Sequence, residues 1–125
     1  MPKRYYTVEE ANAVLPTVRA LVAKMLAARQ RIVDAKPELW PVLEKAAGNG
    51  GSPLASAVLV DFDQVQHSVK TLDQMGIELK DVNTGLLDFV AQRDGREVYL
   101  CWRYDEPTVA FWHDLDAGFA GRQPL

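Results

Sequence analysis

Apolar residues in the N-terminal half of the chain recur at alternating spacings of three and four. One stripe consists of Val14, Val18, Leu21, Met25, Ala28 and Ile32, and a second of Val58, Phe62, Val65, Val69 and Leu72. Such spacing places the apolar side chains along one side of an α-helix, as in helices that pack against a partner. The pattern therefore predicts two long helices that form an antiparallel hairpin, the second ending near Gly76.

Two local features mark the first helix. Thr7 and Glu10 have the spacing of a capping box, which predicts that the helix begins just after Thr7. Proline has no backbone N–H to donate to the helical ladder. We therefore expect a kink or a new helix start at Leu15-Pro16.

After Gly76 the apolar residues recur at every second position, which is typical of half-buried strands. Strands are predicted over 77–82, 86–92, 97–104 and 108–113. The Asp94-Gly95 pair between the second and third strands indicates a type I′ hairpin turn. The predicted fold class is α+β: an antiparallel helical hairpin with a short extra helix packs on one face of a three- or four-stranded antiparallel sheet, and the C-terminal tail folds back.

One domain is expected over residues 1–125, divided into a helical half (7–76), a sheet half (77–113) and a tail (114–125). Within the helical half, residues 37–47 are predicted to form the short helix. The glycine-rich run 48–52 is interpreted as a flexible connector, because no Lys-Ser/Thr of a phosphate loop follows it.

Composition excludes some classes of protein. The 48% apolar and 25% charged residues are those of a soluble globular protein, and a net charge of −3 argues against a nucleic-acid binder. A single cysteine, Cys101, excludes an intrachain disulfide framework. The first residues lack the apolar run of a signal peptide, and no stretch has the roughly 18 consecutive apolar residues of a membrane span. We expect a cytoplasmic protein with neither nucleic acid nor membrane as a partner.

The predicted turns fix the register of the strands. A two-residue Asp94-Gly95 turn places Asp88 opposite Cys101, on the face that points away from the core. If Asp105-Glu106 is also a two-residue turn, His113 lies on the core face. A zinc site joining Cys101 to His113 is then disfavoured, although a one-residue bulge near 105–107 would bring the two side chains to the same face.

The tail and the end of the last strand carry the residue types of a metal site. His113 and Asp116, joined by Glu9, Glu10 or Asp88, form a candidate site for a divalent ion such as Zn, Mn, Fe or Ni. In the structural alternative, Glu10 is engaged in the capping box and Asp116 holds the His113 ring to pin the tail.

Arginines near the tail add a second candidate chemistry. Arg122 is suited to bind a small anion, together with Arg103 and Arg93, because a guanidinium matches planar anions. Its alternative role is to pair with Asp88 or Asp116 and lock the tail to the domain.

Several stretches together resemble a known prokaryotic family. They are Tyr5-Tyr6-Thr7-Val8-Glu9-Glu10-Ala11-Asn12, Gly85-Leu86-Leu87-Asp88-Phe89, Arg93-Asp94-Gly95-Arg96-Glu97-Val98, Leu100-Cys101-Trp102, Trp112-His113 and Asp116-Ala117-Gly118-Phe119-Ala120-Gly121-Arg122-Gln123-Pro124-Leu125. The chain is similar over nearly its whole length to domain of unknown function 2203, with Val90 standing where many relatives have proline. The resemblance implies a small cytosolic bacterial protein and carries no established activity.

Two functions remain open at this point. The first is a domain that binds a divalent metal or a small ligand, which includes a small hydrolase or an enzyme of oxygen chemistry. The second is a non-enzymatic homodimeric interaction module. In the expected register, Tyr99 faces Trp112 on the outer side of the sheet, and an aromatic pair there suits a protein interface.

Overall fold

A computed structural model describes residues 4–47 and 56–125, so the predicted connector at 48–52 lies outside the described residues. Three helices come first: α1 (Val8–Ala35), α2 (Trp40–Ala46) and α3 (Ser56–Gln74). The strands follow as β1 (Ile77–Asp81), β2 (Leu86–Arg93), β3 (Arg96–Trp102), β4 (Phe111–Asp114) and β5 (Gln123–Pro124). The predicted α+β class and the short extra helix are confirmed.

Helix α1 begins as its sequence predicts. The Thr7 amide donates to the Glu10 carboxylate at 2.9 Å, and the Glu10 amide donates to the Thr7 hydroxyl at 3.0 Å, so both bonds of the capping box are present. The predicted new helix start at Pro16 is wrong, because α1 continues through it. Pro16 is exposed, whereas Leu15 and Val18 beside it are buried in the core, and this packing holds both turns of the helix in place.

The two long helices form the predicted antiparallel hairpin. Ser68 on α3 donates to the backbone carbonyl of Leu21 on α1 at 2.9 Å, and Arg31 pairs with Asp61 at 2.8 Å. The buried stripe of α1 consists of Ala11, Leu15, Val18, Val22, Met25, Ala28 and Ile32. It follows the predicted seam, with Val14 and Leu21 at its half-buried edge.

By length and composition alone, α1 is apolar enough to cross a membrane. Core helices of soluble proteins meet the same criterion, and the stripe of α1 is buried within the protein, so this is weak evidence for a membrane span.

The sheet is an antiparallel meander in the order β1-β2-β3-β4-β5. Asp94 and Gly95 have φ values of 54° and 79°, as a type I′ turn requires, and the predicted pairing of Asp88 with Cys101 is confirmed. The helices cover the inner face, which carries Phe89 and Leu100. Asp88 and Cys101 alternate with these residues and therefore lie on the outer face.

The connection between β3 and β4 differs from the predicted two-residue turn. It spans residues 103–110, and Arg19 of α1 donates to its backbone carbonyls at Tyr104, Glu106 and Pro107. The longer connection shifts the register by one residue, so that Tyr99 pairs with His113 and Leu100 with Trp112.

This shift corrects two expectations, because a one-residue change in register exchanges the faces of a strand. His113 lies on the outer face with Cys101, not on the core face. Trp112 packs in the core, so Tyr99 and Trp112 do not form the outer aromatic pair on which the interaction module was based.

The tail folds back as predicted and adds a fifth strand to the three or four expected. Gln123 of β5 pairs with Trp112 of β4, and the Leu125 amide donates to the carbonyl of Ala110 at 3.0 Å. Before β5, residues 115–122 pass over the outer face, where three of them reach the cavity described below.

Candidate metal centre

Three polar side chains meet on the outer face of the sheet: Asp88 of β2, Cys101 of β3 and His113 of β4. We call them the triad. One potential ligand atom from each, a carboxylate oxygen, Sγ and a ring nitrogen, lies within 4.8 Å of the other two. The three residues are 2%, 1% and 2% exposed. Among the described residues, this is the one group of at least three His, Cys, Asp or Glu side chains close enough to share a metal ion.

The hydrogen bonds of His113 define which ring nitrogen faces Asp88. Nδ1 lies 2.7 Å from the carbonyl oxygen of Asp114, and a carbonyl oxygen only accepts, so Nδ1 carries a hydrogen. Nε2 lies 3.1 Å from Asp88 Oδ1. A nitrogen lone pair and a carboxylate oxygen attract each other only through a proton or a cation between them. The contact between His113 Nε2 and Asp88 Oδ1 is therefore suited to hold either a proton or a metal cation.

Burial changes the acidity of the other two groups. It raises the pKa of Asp88, and the neighbouring His113 opposes that rise. Burial, together with the charge of Asp88, raises the pKa of the Cys101 thiol to about 12, although Arg122 acts in the opposite direction. Cys101 thus holds its proton at neutral pH in the metal-free protein, and a metal ion that bound the thiolate would have to displace it.

The triad opens into a small cavity of about 150 Å³. The sheet supplies one side of the cavity through Lys80, Leu86 and Tyr99. The tail supplies another through Leu115, Gly118 and Phe119. The tail is thus one wall of the candidate site and helps to bury it.

Arg122 fastens the tail to the domain. Its guanidinium makes two hydrogen bonds with the Glu106 carboxylate, at 2.9 and 2.7 Å, and lies 4.1 and 4.2 Å from the ring centroids of Phe111 and Phe119. Nη1 also lies 3.7 Å from Cys101 Sγ. The arginine pairs with Glu106 instead of the expected Asp88 or Asp116, because the 103–110 connection holds this carboxylate against the tail.

The remaining predicted site residues lie elsewhere. Glu10 is engaged in the capping box and Glu9 is exposed beside it, while Asp116 is exposed in the turn after β4. None of the three lines the cavity. Arg103 makes two hydrogen bonds with Asp105, at 2.7 and 3.0 Å.

The structure therefore brings together His113 and Asp88 from the predicted metal set, and adds Cys101. The alternation of residues in β2 and β3 was enough to place Cys101 beside Asp88. The β3–β4 register was not predicted, and the connection before β4 is contacted by Arg19 and Asn12, which are far away in the sequence.

No curated protein and no solved structure matches this chain. A family described as "Uncharacterized conserved protein (DUF2203)" matches residues 4–125, which is essentially the whole chain. The chain belongs to this family of domain of unknown function 2203.

Proposed function

We propose that this protein binds a divalent metal ion of the zinc class through Asp88, Cys101 and His113. The observation that carries the proposal is the convergence of three different ligand types at one buried point beside a cavity. The proposal retains the predicted ligands His113 and Asp88, and replaces the tail and helix carboxylates with the thiolate of Cys101.

The chemistry of the donors favours zinc over harder ions. Thiolate and imidazole are ligands that zinc prefers, whereas magnesium, calcium and manganese favour oxygen. Ligands about 2.0–2.3 Å from a tetrahedral zinc ion lie roughly 3.3–3.8 Å from one another. The separation of 3.1 Å between His113 Nε2 and Asp88 Oδ1, and the limit of 4.8 Å for all pairs, need only small side-chain movements to reach these values.

The surroundings also resemble those of zinc ligands. A histidine that binds zinc usually donates its other N–H to a carbonyl or carboxylate, as His113 does to the Asp114 carbonyl. Three protein ligands leave a fourth position for water or a small molecule, which is the arrangement of catalytic zinc sites. The cavity beside the triad has room for that fourth ligand.

A competition titration tests the proposal. Metal-free protein is titrated with Zn²⁺ against a chromogenic chelator, and the bound metal is measured after dialysis. We expect about one zinc per chain, and a loss of affinity of at least about tenfold in Cys101→Ser, Asp88→Asn and His113→Ala. Circular dichroism confirms that each variant is folded.

Matched controls separate this site from the tail carboxylate alternative. Asp116→Asn and His67→Ala remove the same functional groups from exposed positions and should leave zinc affinity unchanged. Zinc binding that is insensitive to Cys101→Ser but weakened by Asp116→Asn would contradict the proposed ligand set, as would folded protein that binds no zinc.

A further inference from the structure

We infer that the cavity beside the triad binds a short-chain carboxylate, held between the metal ion and the ammonium group of Lys80. The inference rests on the proposed metal site, because it places the carboxylate at the open coordination position.

Strand alternation places Lys80 on the outer face of the sheet. Lys80 follows Glu78 by two residues in β1, and Glu78 stands opposite Asp88 of the triad. The Lys80 side chain lies over the Tyr99 ring, with Nζ 4.6 Å from the ring centroid, and both residues line the cavity.

Glu78 holds both groups in place. It stands opposite Asp88 in the β1–β2 pairing, accepts from Lys80 Nζ at 2.9 Å and accepts from the Tyr99 hydroxyl at 3.0 Å. An ammonium group has three N–H donors, and the contact with Glu78 uses one of them. Lys80 is therefore positioned at the cavity wall with further donors for an anion.

The open coordination position and the remaining N–H donors of Lys80 favour an anionic oxygen ligand once metal is present. A divalent ion with the thiolate of Cys101 and the carboxylate of Asp88 has no net charge, and the Lys80–Glu78 ion pair adds none. Without the metal, the negative charge of Asp88 would oppose an anion. Carboxylate binding is thus expected to depend on the metal.

The size and polarity of the cavity limit which carboxylates can bind there. Leu86, Leu115 and Phe119 form apolar parts of the wall, which suit a hydrocarbon chain better than a fully oxygenated anion. The 150 Å³ of the cavity is about five times the volume that a water molecule occupies in the liquid. Acetate, propionate and butyrate are in this size range.

Cobalt-loaded protein provides the test, because the visible spectrum of Co²⁺ reports a change in its ligands. The probes are butyrate, the uncharged butyramide and inorganic phosphate. We expect a saturable spectral change with butyrate and none with butyramide or phosphate. Lys80→Met should weaken butyrate about tenfold through loss of a charge-assisted hydrogen bond, whereas Lys24→Met, an exposed lysine on α1, should have no effect.

The outcomes distinguish the two proposals. Folded protein that does not take up Co²⁺ contradicts the metal site itself. Protein that binds Co²⁺ but gives no response to butyrate, or the same response in Lys80→Met, overturns the carboxylate site alone. A response to phosphate that exceeds the response to butyrate would overturn it as well, by assigning the cavity to an inorganic anion. The same butyrate affinity in metal-free protein, measured by calorimetry, would contradict the role of the metal.

Discussion

The inner and outer faces of the sheet both contain side chains that are almost fully buried, but they are covered in different ways. Helices α1 and α3 cover the inner face with long apolar stripes. Over the triad, the cover of the outer face is a short tail, fastened by β5 and by the pair Arg122–Glu106. The buried groups differ accordingly, with Phe89 and Leu100 inside and the polar triad outside.

The two faces should therefore contribute differently, the inner face to the stability of the fold and the outer face to its chemistry. Apolar burial over two helices contributes many additive contacts, so the inner face should supply most of the free energy of folding. The outer face buries ionisable groups that are costly unless a proton or a cation is shared between them.

The largest effect is expected from the inner face. Phe89→Ala removes a fully buried ring that packs edge-on against Tyr6, with ring centroids 5.0 Å apart, and should lower the free energy of unfolding by about 3–5 kcal/mol. Phe119→Ala removes the same type of side chain from the outer tail, where it is 39% exposed, and should lower the free energy of unfolding by less. Urea denaturation measures both, and equal losses would contradict the proposed division between the faces.

The next effect concerns the attachment of the tail. Arg122→Met leaves the Glu106 carboxylate, whose side chain is 14% exposed, without its guanidinium partner, and should lower the free energy of unfolding by about 2–3 kcal/mol through the loss of charge-assisted hydrogen bonds. Arg96→Met breaks the more exposed pair with Asp114 and should change it by less than about 1 kcal/mol. If denaturation shows the same loss for both, Arg122 does not fasten the tail more strongly than a surface ion pair.

Raising the pH above 9 should lower the free energy of unfolding of the metal-free protein because of Cys101. Its pKa rises from 9.0 to about 12 on folding, so the unfolded chain loses the thiol proton first and stability falls between these pH values. The contribution from this thiol should be about 1 kcal/mol between pH 9 and pH 10. Cys101→Ala should remove this part of the dependence of the free energy of unfolding on pH. Urea denaturation of the variant and of the parent protein at both pH values measures the difference. If the free energy of unfolding falls equally in the variant and in the parent protein between the two pH values, the raised pKa of Cys101 is contradicted.

The smallest effect on stability is expected from Asp88. Burial raises the pKa of this carboxyl, which means that the fold favours the protonated form and that stability falls as pH rises through the raised pKa. Asp88→Asn carries no charge, and its amide can donate to His113 Nε2. In metal-free protein at pH 7 we expect a stability at or slightly above that of the parent, within about 1 kcal/mol. A large loss in thermal denaturation would show that the ionised carboxylate itself stabilises the fold.

Much of the fold could be predicted because its signals are local. The two helical stripes, the capping box of Thr7 and Glu10, and the Asp94-Gly95 turn each depend on residues close together in the sequence. Pro16 was misleading because the prediction considered one lost hydrogen bond and not the packing of the whole helix.

The candidate site shows the limit of the same reasoning. The sequence by itself determined that Asp88 and Cys101 are paired and that the tail returns to the sheet. Only the tertiary structure decided that His113 joins them and that Arg122 meets Glu106. The physical reason is the period of two in a strand: one residue more or fewer in the 103–110 connection moves every side chain of β4 to the other face. That connection is held by hydrogen bonds to Arg19 and Asn12 of α1, which are distant in the sequence, so no local pattern contains them.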